Sequence, residues 1–508
     1  MSQAEAKSAS MASPVQRLQE RPLEVLVIGG GIVGAGVARD AAMRGLRTGL
    51  VEQHDFASGT SSRSSRLLHG GIRYLAQGRV GLVREASKEK SVLRRIAPHL
   101  AQPLEFIFPT RRKSGWPRWK LSIGVRLYDL LCGLGKGSGS GSMGVRETLE
   151  RLPGLTDRQL TGAVRYYDAL TNDARLVIDT LRSAKRHGAV ARNYVRLVEA
   201  APEGDLWRCE LEDLPNDSET PARHTVRARA VVNATGPWSD RIGQSKTTLR
   251  LTKGVHLVVD RKRLPVADAA VLAEGDRILF VIPWGDRVIL GTTDTDYAGP
   301  LENPPCDDAD VDYILGVVNE AFPAAHLAAA DVVSTWSGLR PLVADASGRP
   351  ADISRRHKIS MSHPGWWDVT GGKLTTYRLM AEETVDSIVK QLGVKAAPCR
   401  TATTPLVEQG DADALSGILP PAVSQMAVSH YCREESARRL DDVMFRRTSW
   451  RHYHRNHLEL AGQVARWMAA ELGWDASQMD AELLRYRRLT GAAALPAADI
   501  FAARARQS

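Results

Sequence analysis

Val25-Leu-Val-Ile-Gly29-Gly-Gly31-Ile-Val-Gly34-Ala-Gly36 places a G-x-G-x-x-G pattern directly after a short apolar run, Leu23–Ile28. Val33–Arg44 then carries apolar residues at helical spacing, and Leu46–Glu52 is a second short apolar run. Strand, glycine turn, helix and strand within about 30 residues read as one βαβ unit. Gly29 allows the tight bend, Gly31 lets the backbone approach a pyrophosphate, and Gly34 lets helix and strand lie close. The helix N-terminus offers N–H groups to the phosphates. Glu52 follows Gly34 by 18 residues, at the end of the second run. A carboxylate there binds ribose hydroxyls and disfavours a 2′-phosphate, so a dinucleotide other than NADP is expected. These residues do not choose between NAD and FAD.

Around this unit lies a chain of 508 residues, 43% hydrophobic and 25% charged. That balance is ordinary for a globular protein and too apolar for wholesale disorder. At about 100–200 residues per domain, the length corresponds to roughly three structural units. The longest uncharged, mostly apolar run, Val25–Ala38, is interrupted by five glycines and is shorter than the ~18 residues of a spanning helix. Residues 1–20 are rich in Ala, Ser and Gln and read as a mobile tail, without the apolar stretch of a secretory signal. Cys132, Cys209, Cys306, Cys399 and Cys432 are scattered, with no CxxC pair. They argue against a disulfide framework or a thiolate zinc site and for reduced thiols in a cytosolic setting. With 68 basic against 58 acidic residues the net charge is +10, which favours an anionic partner. Nucleic acid is not expected, because no base-reading pattern accompanies the charge.

Farther along, Gly133–Gly144 is a low-complexity stretch that reads as a surface loop or linker. Arg277–Ile282 and Arg287–Gly291 are β-rich runs separated by Pro283-Trp284-Gly285-Asp286, a hairpin signal. From about residue 398 the pattern changes to helices rich in Ala, Leu, Arg and Glu.

Downstream of Glu52, Thr60-Ser-Ser-Arg63-Ser-Ser-Arg66-Leu-Leu-His69-Gly-Gly-Ile-Arg73-Tyr74-Leu resembles the segment of FAD-dependent (aerobic, respiratory) glycerol-3-phosphate dehydrogenases that runs under the flavin. Further matches follow in the family's order: Asn172-Asp-Ala-Arg175-Leu, Val232-Asn233-Ala-Thr235-Gly236-Pro-Trp238, Thr252-Lys253-Gly-Val-His256 and Phe280-Val-Ile-Pro-Trp284. Gly291-Thr-Thr-Asp294, Ser337-Gly-Leu-Arg340-Pro-Leu and Gly371-Gly-Lys373-Leu-Thr375-Thr-Tyr377-Arg378 complete the set, which spans about residues 22–390. Arg438–Thr448 is similar to a helix of the family's C-terminal domain, although that region looks short.

The resemblance implies an α/β fold: a Rossmann-like, D-amino-acid-oxidase-like FAD domain with an antiparallel-sheet substrate domain and an α-helical C-terminal domain. Residues 21–100, 160–240 and 335–395 would form the first, 101–159 with 241–334 the second, and 398–508 the third. It implies oxidation of sn-glycerol 3-phosphate to dihydroxyacetone phosphate, hydride passing from C2 to flavin N5, with electrons delivered to a membrane quinone at the cytoplasmic face. A peripheral location on the inner face of the cell membrane follows from the same likeness, and a homodimer stays open. Rival readings are an oxidase that reduces oxygen, a flavin amine or amino-acid oxidase, and a flavin-free basic binding protein.

Such a reaction needs a grip on a phosphate dianion, for which Arg is suited by its planar fork of donors. Within the matched motifs Arg73, Arg340 and Lys373 supply cations, and Tyr74 a further hydrogen bond. The Gly338–Pro341 neighbourhood gives Arg340 a turn-like context, expected at a loop tip. His69 is the first candidate for general base, since an unperturbed imidazole titrates near 6.5. The rival assignment has His69 supporting the flavin or capping a helix, while Arg340 or Lys373 acidifies the alcohol and water takes the proton. Cofactor contacts are expected at Gly29, Gly31, Gly34 and Glu52, and by resemblance at Thr60, Ser61, Ser62, Val195, Asn233, Gly236, Thr375 and Thr376. Thr375 and Thr376 are equally suited to start a helix.

Two other signals carry less. His452, His454 and His457 invite a metal reading, but His452 and His454 would point to nearly opposite helix faces, and no metal is expected; a solvated basic surface is. The seven arginines of Arg433–Arg455 are interspersed with acids and read as an ordinary charged helix. Finally, Arg111-Arg-Lys113 leads into Trp116–Leu134, where Trp119, Ile123, Leu127, Leu130 and Leu134 recur at helical spacing. An amphipathic helix of this kind lies in an anionic membrane interface or packs on the protein's own core.

Overall fold

The computed structural model describes residues 14–71, 80–112, 117–131, 140–214, 221–275, 277–343, 357–408 and 415–491. The glycine motif folds as its spacing requires. Strand β1 (Leu23–Ile28) leads through the glycine turn into helix α1 (Ile32–Met43), and β2 (Thr48–Glu52) returns parallel to β1, with Ile28 opposite Val51. On the other side β1 pairs in parallel with β3 (Arg223–Asn233), Ile28 opposite Asn233. The eight-stranded sheet continues outward through Val190–Asn193 beyond β2 and through Trp366–Thr370 and Lys358–His363 beyond β3. Both faces are covered. Val25 and Val27 pack with α1 and the helices Asp173–Arg186 and Tyr377–Leu392, whereas Leu26 and Ile28 join Trp207, Val231 and Trp366 on the opposite face. Continuous apolar runs are what a parallel sheet buried on two sides demands.

A second, ten-stranded sheet follows from the alternating segments. Its pairings are antiparallel except where Ala269–Glu274 meets Gln102–Arg111. Strand β4 (Leu249–Asp260) lies between β5 (Arg287–Gly291) and β6 (Val332–Val343), antiparallel to both. The expected hairpin forms, Arg277–Trp284 against β5; Pro283 and Trp284 belong to the strand and Gly285, at φ 60°, makes the turn. Helix Asp308–Ala321, closed by an Asp307/Asp310 capping box, packs Ile314 and Val318 onto this sheet.

Four expectations about boundaries change. Within the tail assigned to residues 1–20, Pro14–Gln19 is helical, and Leu18 is fully buried against the first sheet's core. Residues 1–13 lie outside the described residues. Strands Leu160–Leu170 and β6, placed with the dinucleotide domain, pair instead in the antiparallel sheet, since each is long enough to extend it. The chain divides into compact units at Leu419/Pro420 rather than at 398. The intervening segment is tied to the first unit by Arg39, which donates to Thr401 O (3.2 Å) and Thr404 O (2.6 Å), and by Trp284, which donates to Ile418 O (3.0 Å).

The unit from Pro420 onward is helical, with helices Gln425–Arg433, His457–Leu472 and Ala476–Leu489. Its arginine-rich stretch is no solvated helix: Asp442–Arg447 is a π-turn that buries Arg446 between Asp441 (2.7 Å) and Asp442 (2.6 Å). Nor are the histidines a solvated surface. His452 is buried, and His457 meets the Tyr486 hydroxyl at 3.1 Å, its pKa pushed down to about 4 by burial and then by Arg451.

Candidate active site

The glycine turn is built by close approach. At Gly29 the backbone takes φ 109°, and a Cβ would sit 2.6 Å from Ala234 O; at Gly34 a Cβ would overlap the Gly29 carbonyl oxygen. Gly34 therefore acts beneath the turn. Glu52 closes it from the next strand, accepting from Gly30 N (2.7 Å) with one oxygen and from His54 N (2.9 Å) with the other. Ser61 Oγ accepts from Ile32 N at 3.0 Å, in the first turn of α1.

Over this turn opens a cavity of about 380 Å³ at the carboxyl ends of β1 and β2, the place where open α/β sheets bind ligands. Of the expected cofactor residues, Gly29, Gly31, Glu52, Thr60, Ser61, Val195 and Gly236 line it, and Lys373 joins them from Gly371-Gly-Lys373, where both glycines have positive φ. Bare backbone at Gly29 and Gly31 and a carboxylate at the ribose position fit a dinucleotide such as FAD.

The remaining cofactor assignments move one layer back. Asn233 is buried, donates to Asp368 (2.8 Å) and Ser239 O (3.1 Å), and accepts from Thr235 (2.7 Å), so it fixes the turn that carries Gly236. Ser62 lies in the short 3-10 turn Thr60–Ser62, outside the cavity wall. Thr375 brackets the His69 backbone, accepting from its N–H (3.1 Å) and donating to its carbonyl (3.2 Å); Thr376 donates to Lys373 O (3.3 Å). Short hydroxyl side chains with backbone partners in reach hold loops, and these stand behind the residues that line the cavity. His69 is thus positioned by its backbone. Arg73 and Tyr74 lie outside the described residues.

Arg340 sits within β6 opposite Thr252, not on a loop tip, because the Gly338–Pro341 neighbourhood continues the strand. Thr60 Oγ1 donates to Leu339 O (2.6 Å), joining this strand to the glycine-turn side, and Pro341 lines the same cavity as Lys373. The Arg340 guanidinium lies across Gly254 of β4, donating to Thr292 Oγ1 (3.0 Å), Thr293 O (3.2 Å) and Asp294 Oδ1 (3.0 Å).

One residue of the quoted motifs given no role in the sequence is His256. Buried on β4, it hydrogen-bonds Ser65 Oγ through Nε2 (2.8 Å) and stacks on Trp336 at 5.3 Å. Arg66 lies 5.1 Å from the Trp336 ring and 4.4 Å from that of Trp284. Burial first, then Arg340 and Arg66, push the His256 pKa down to about 3, so this imidazole is neutral at physiological pH. Its occurrence in a family-like motif was the only signal in the sequence.

A parallel sheet, a glycine-cradled cavity at its carboxyl edge and Lys373 in the cavity wall define a dinucleotide-dependent oxidoreductase. Residues 24–387 match the FAD dependent oxidoreductase family, and residues 380–479 match the C-terminal domain of alpha-glycerophosphate oxidase. Glycerol-3-phosphate dehydrogenase 2 of Mycobacterium tuberculosis is 37% identical over 94% of this chain and 90% of its own. Alpha-glycerophosphate oxidase of Streptococcus pyogenes is also 37% identical, over 74% of this chain and 72% of its own. Among solved structures, the glycerol-3-phosphate dehydrogenase of Bacillus halodurans complexed with FAD superposes with a TM-score of 0.75 at 29% identity, over 95% and 97% of the two chains. The chain belongs to the FAD-dependent glycerol-3-phosphate dehydrogenase and oxidase family, and FAD is its cofactor.

Proposed function

We propose that this chain oxidises sn-glycerol 3-phosphate to dihydroxyacetone phosphate and passes the electrons to a membrane quinone while resting on the inner face of the cell membrane. The observation that carries the substrate reading is Lys373 in the wall of the glycine-turn cavity, with Arg340 one residue from Pro341 in the same wall. Two fixed cations suit a dianion that must be held while its C2 carbon faces the cofactor. FAD, when bound, supplies the two-electron acceptor. Arg340 and Lys373 hold the phosphate, and His69 is our candidate for accepting the hydroxyl proton. Burial, with Arg340 and Arg66 adding to it, keeps His256 uncharged, so the fixed positive charge near Arg340 is carried by arginine and not by this imidazole.

Oxygen as acceptor is the second reading, favoured by the streptococcal oxidase relatives. One experiment separates the possibilities. Anaerobic addition of glycerol 3-phosphate should bleach the yellow holoenzyme, and glycerol or L-amino acids should not. Reoxidation by a ubiquinone or menaquinone analogue much faster than by air supports the quinone reading, and stoichiometric peroxide under air overturns it. No bleaching overturns the substrate.

A further inference from the structure

Among the described residues the Arg340 guanidinium meets partners of two different kinds. One Nη group donates to Thr292 Oγ1 (3.0 Å) and Thr293 O (3.2 Å), both neutral, and the other meets the Asp294 carboxylate at 3.0 Å. The charged pair is open to solvent, with side-chain exposures of 30% for Arg340 and 42% for Asp294. Underneath, Gly254 leaves the space the guanidinium fills: a Cβ there would come within 2.7 Å of both Arg340 Cζ and Thr292 Oγ1. Asp294 also lies in the field of Arg250, whose own carboxylate partner is Asp296, at 2.8 Å from Nε.

We propose that Asp294 is a positioning residue that guards the phosphate site: it pairs with Arg340 while substrate is absent and gives way to the substrate's phosphate on binding. The inference rests on Arg340 as phosphate ligand and adds a competitor to it. Without Asp294 the neutral threonine contacts still aim the guanidinium, so what is lost is the competing charge and not the geometry. Every anion that takes Arg340 must displace the carboxylate, and product leaves more readily because the carboxylate returns. Ion pairs this exposed are worth a factor of about two to five in an equilibrium constant.

The test is a titration of the FAD-loaded protein with inorganic phosphate, followed through flavin absorbance, together with steady-state kinetics on glycerol 3-phosphate. Asp294→Asn should lower both the phosphate dissociation constant and KM by about two- to five-fold, and Asp294→Glu, which keeps the charge, should return both toward wild type. If Asp294→Asn fails to retain flavin, Asp294→Ser takes its place in the same titration. Unchanged or weaker phosphate binding overturns the proposal. The Arg340→Ala background assigns the failure. When Arg340→Ala weakens phosphate binding and Asp294→Asn does nothing in wild type, the guard alone falls. When Arg340→Ala binds phosphate as before, the phosphate-ligand reading falls and takes the guard with it. In a true guard, adding Asp294→Asn to Arg340→Ala has no further effect.

Discussion

Gly254 carries a consequence out of proportion to its size, because Arg340 occupies the volume a side chain would need. Gly254→Ala should push the guanidinium off its threonine and aspartate partners, and a displaced charge-assisted contact is worth about 1.5–3 kcal/mol. KM for glycerol 3-phosphate should therefore rise by roughly ten-fold or more, with flavin content preserved, since the glycine turn around Gly29 is untouched. A KM equal to wild type would show that Arg340 does not meet the substrate. Residue roles were the least legible part of the sequence for a related reason. Motif likeness named Asn233, Thr375 and Thr376, yet their hydrogen bonds go to Asp368, the His69 backbone and Lys373 O. A short polar side chain looks the same in sequence whether it faces a ligand or the loop behind it.

Elements were legible wherever local spacing and burial coincide. The β1–α1–β2 unit follows from apolar runs and glycine placement, and Glu52 ends β2 as expected. Arg340 was misread because a glycine and a proline close together look like a turn, although cross-strand pairing with β4 overrides that local signal. Helix α2 (Arg118–Leu131) shows the same limit. Its apolar stripe from Trp119 and Ile123 was open to two destinations, and both residues are exposed, at 63% and 61%. Leu121 and Val125, one helical turn apart, cover the core instead. The side chains of Leu127 and Leu130, and residues Trp116 and Leu134, lie outside what is described. Two large apolar side chains on one exposed face of a helix that begins at the exposed Arg118 favour an anionic bilayer surface as the neighbour. Trp119→Ser with Ile123→Ser should cut partition onto anionic vesicles by about thirty-fold or more, since burying each contributes on the order of 1–2 kcal/mol in an interface. Flavin content and thermal stability should hold, because neither side chain is in the core. Equal sedimentation of variant and wild type with vesicles would remove this face as the anchor.

At the scale of the whole molecule the first unit and the helical unit each hold a histidine that burial keeps neutral. His256 titrates near 3 and His457 near 4, both below the value of about 6.5 expected in the unfolded chain. Between those limits the unfolded state binds the proton and the folded state does not, so acid favours unfolding. The stabilising contribution of neutral His256 is complete above pH 6.5 and is lost as pH falls toward 3, by up to about 1.4 kcal/mol per pH unit. His457 is less enclosed and its share is smaller. Asp173 and Glu482 oppose this trend, because burial raises their pKa and their protonated forms suit the fold. The histidine effect therefore has to be read as a difference between proteins. His256→Asn cannot gain the proton, so between pH 6.5 and 5 its unfolding free energy, from urea titration of the FAD-loaded protein, should change less than wild type's by about 2 kcal/mol. Parallel pH profiles for the two proteins would mean that His256 ionises as freely in the fold as outside it, and would undo the picture of an imidazole held uncharged by burial with Arg340 and Arg66 adding to it.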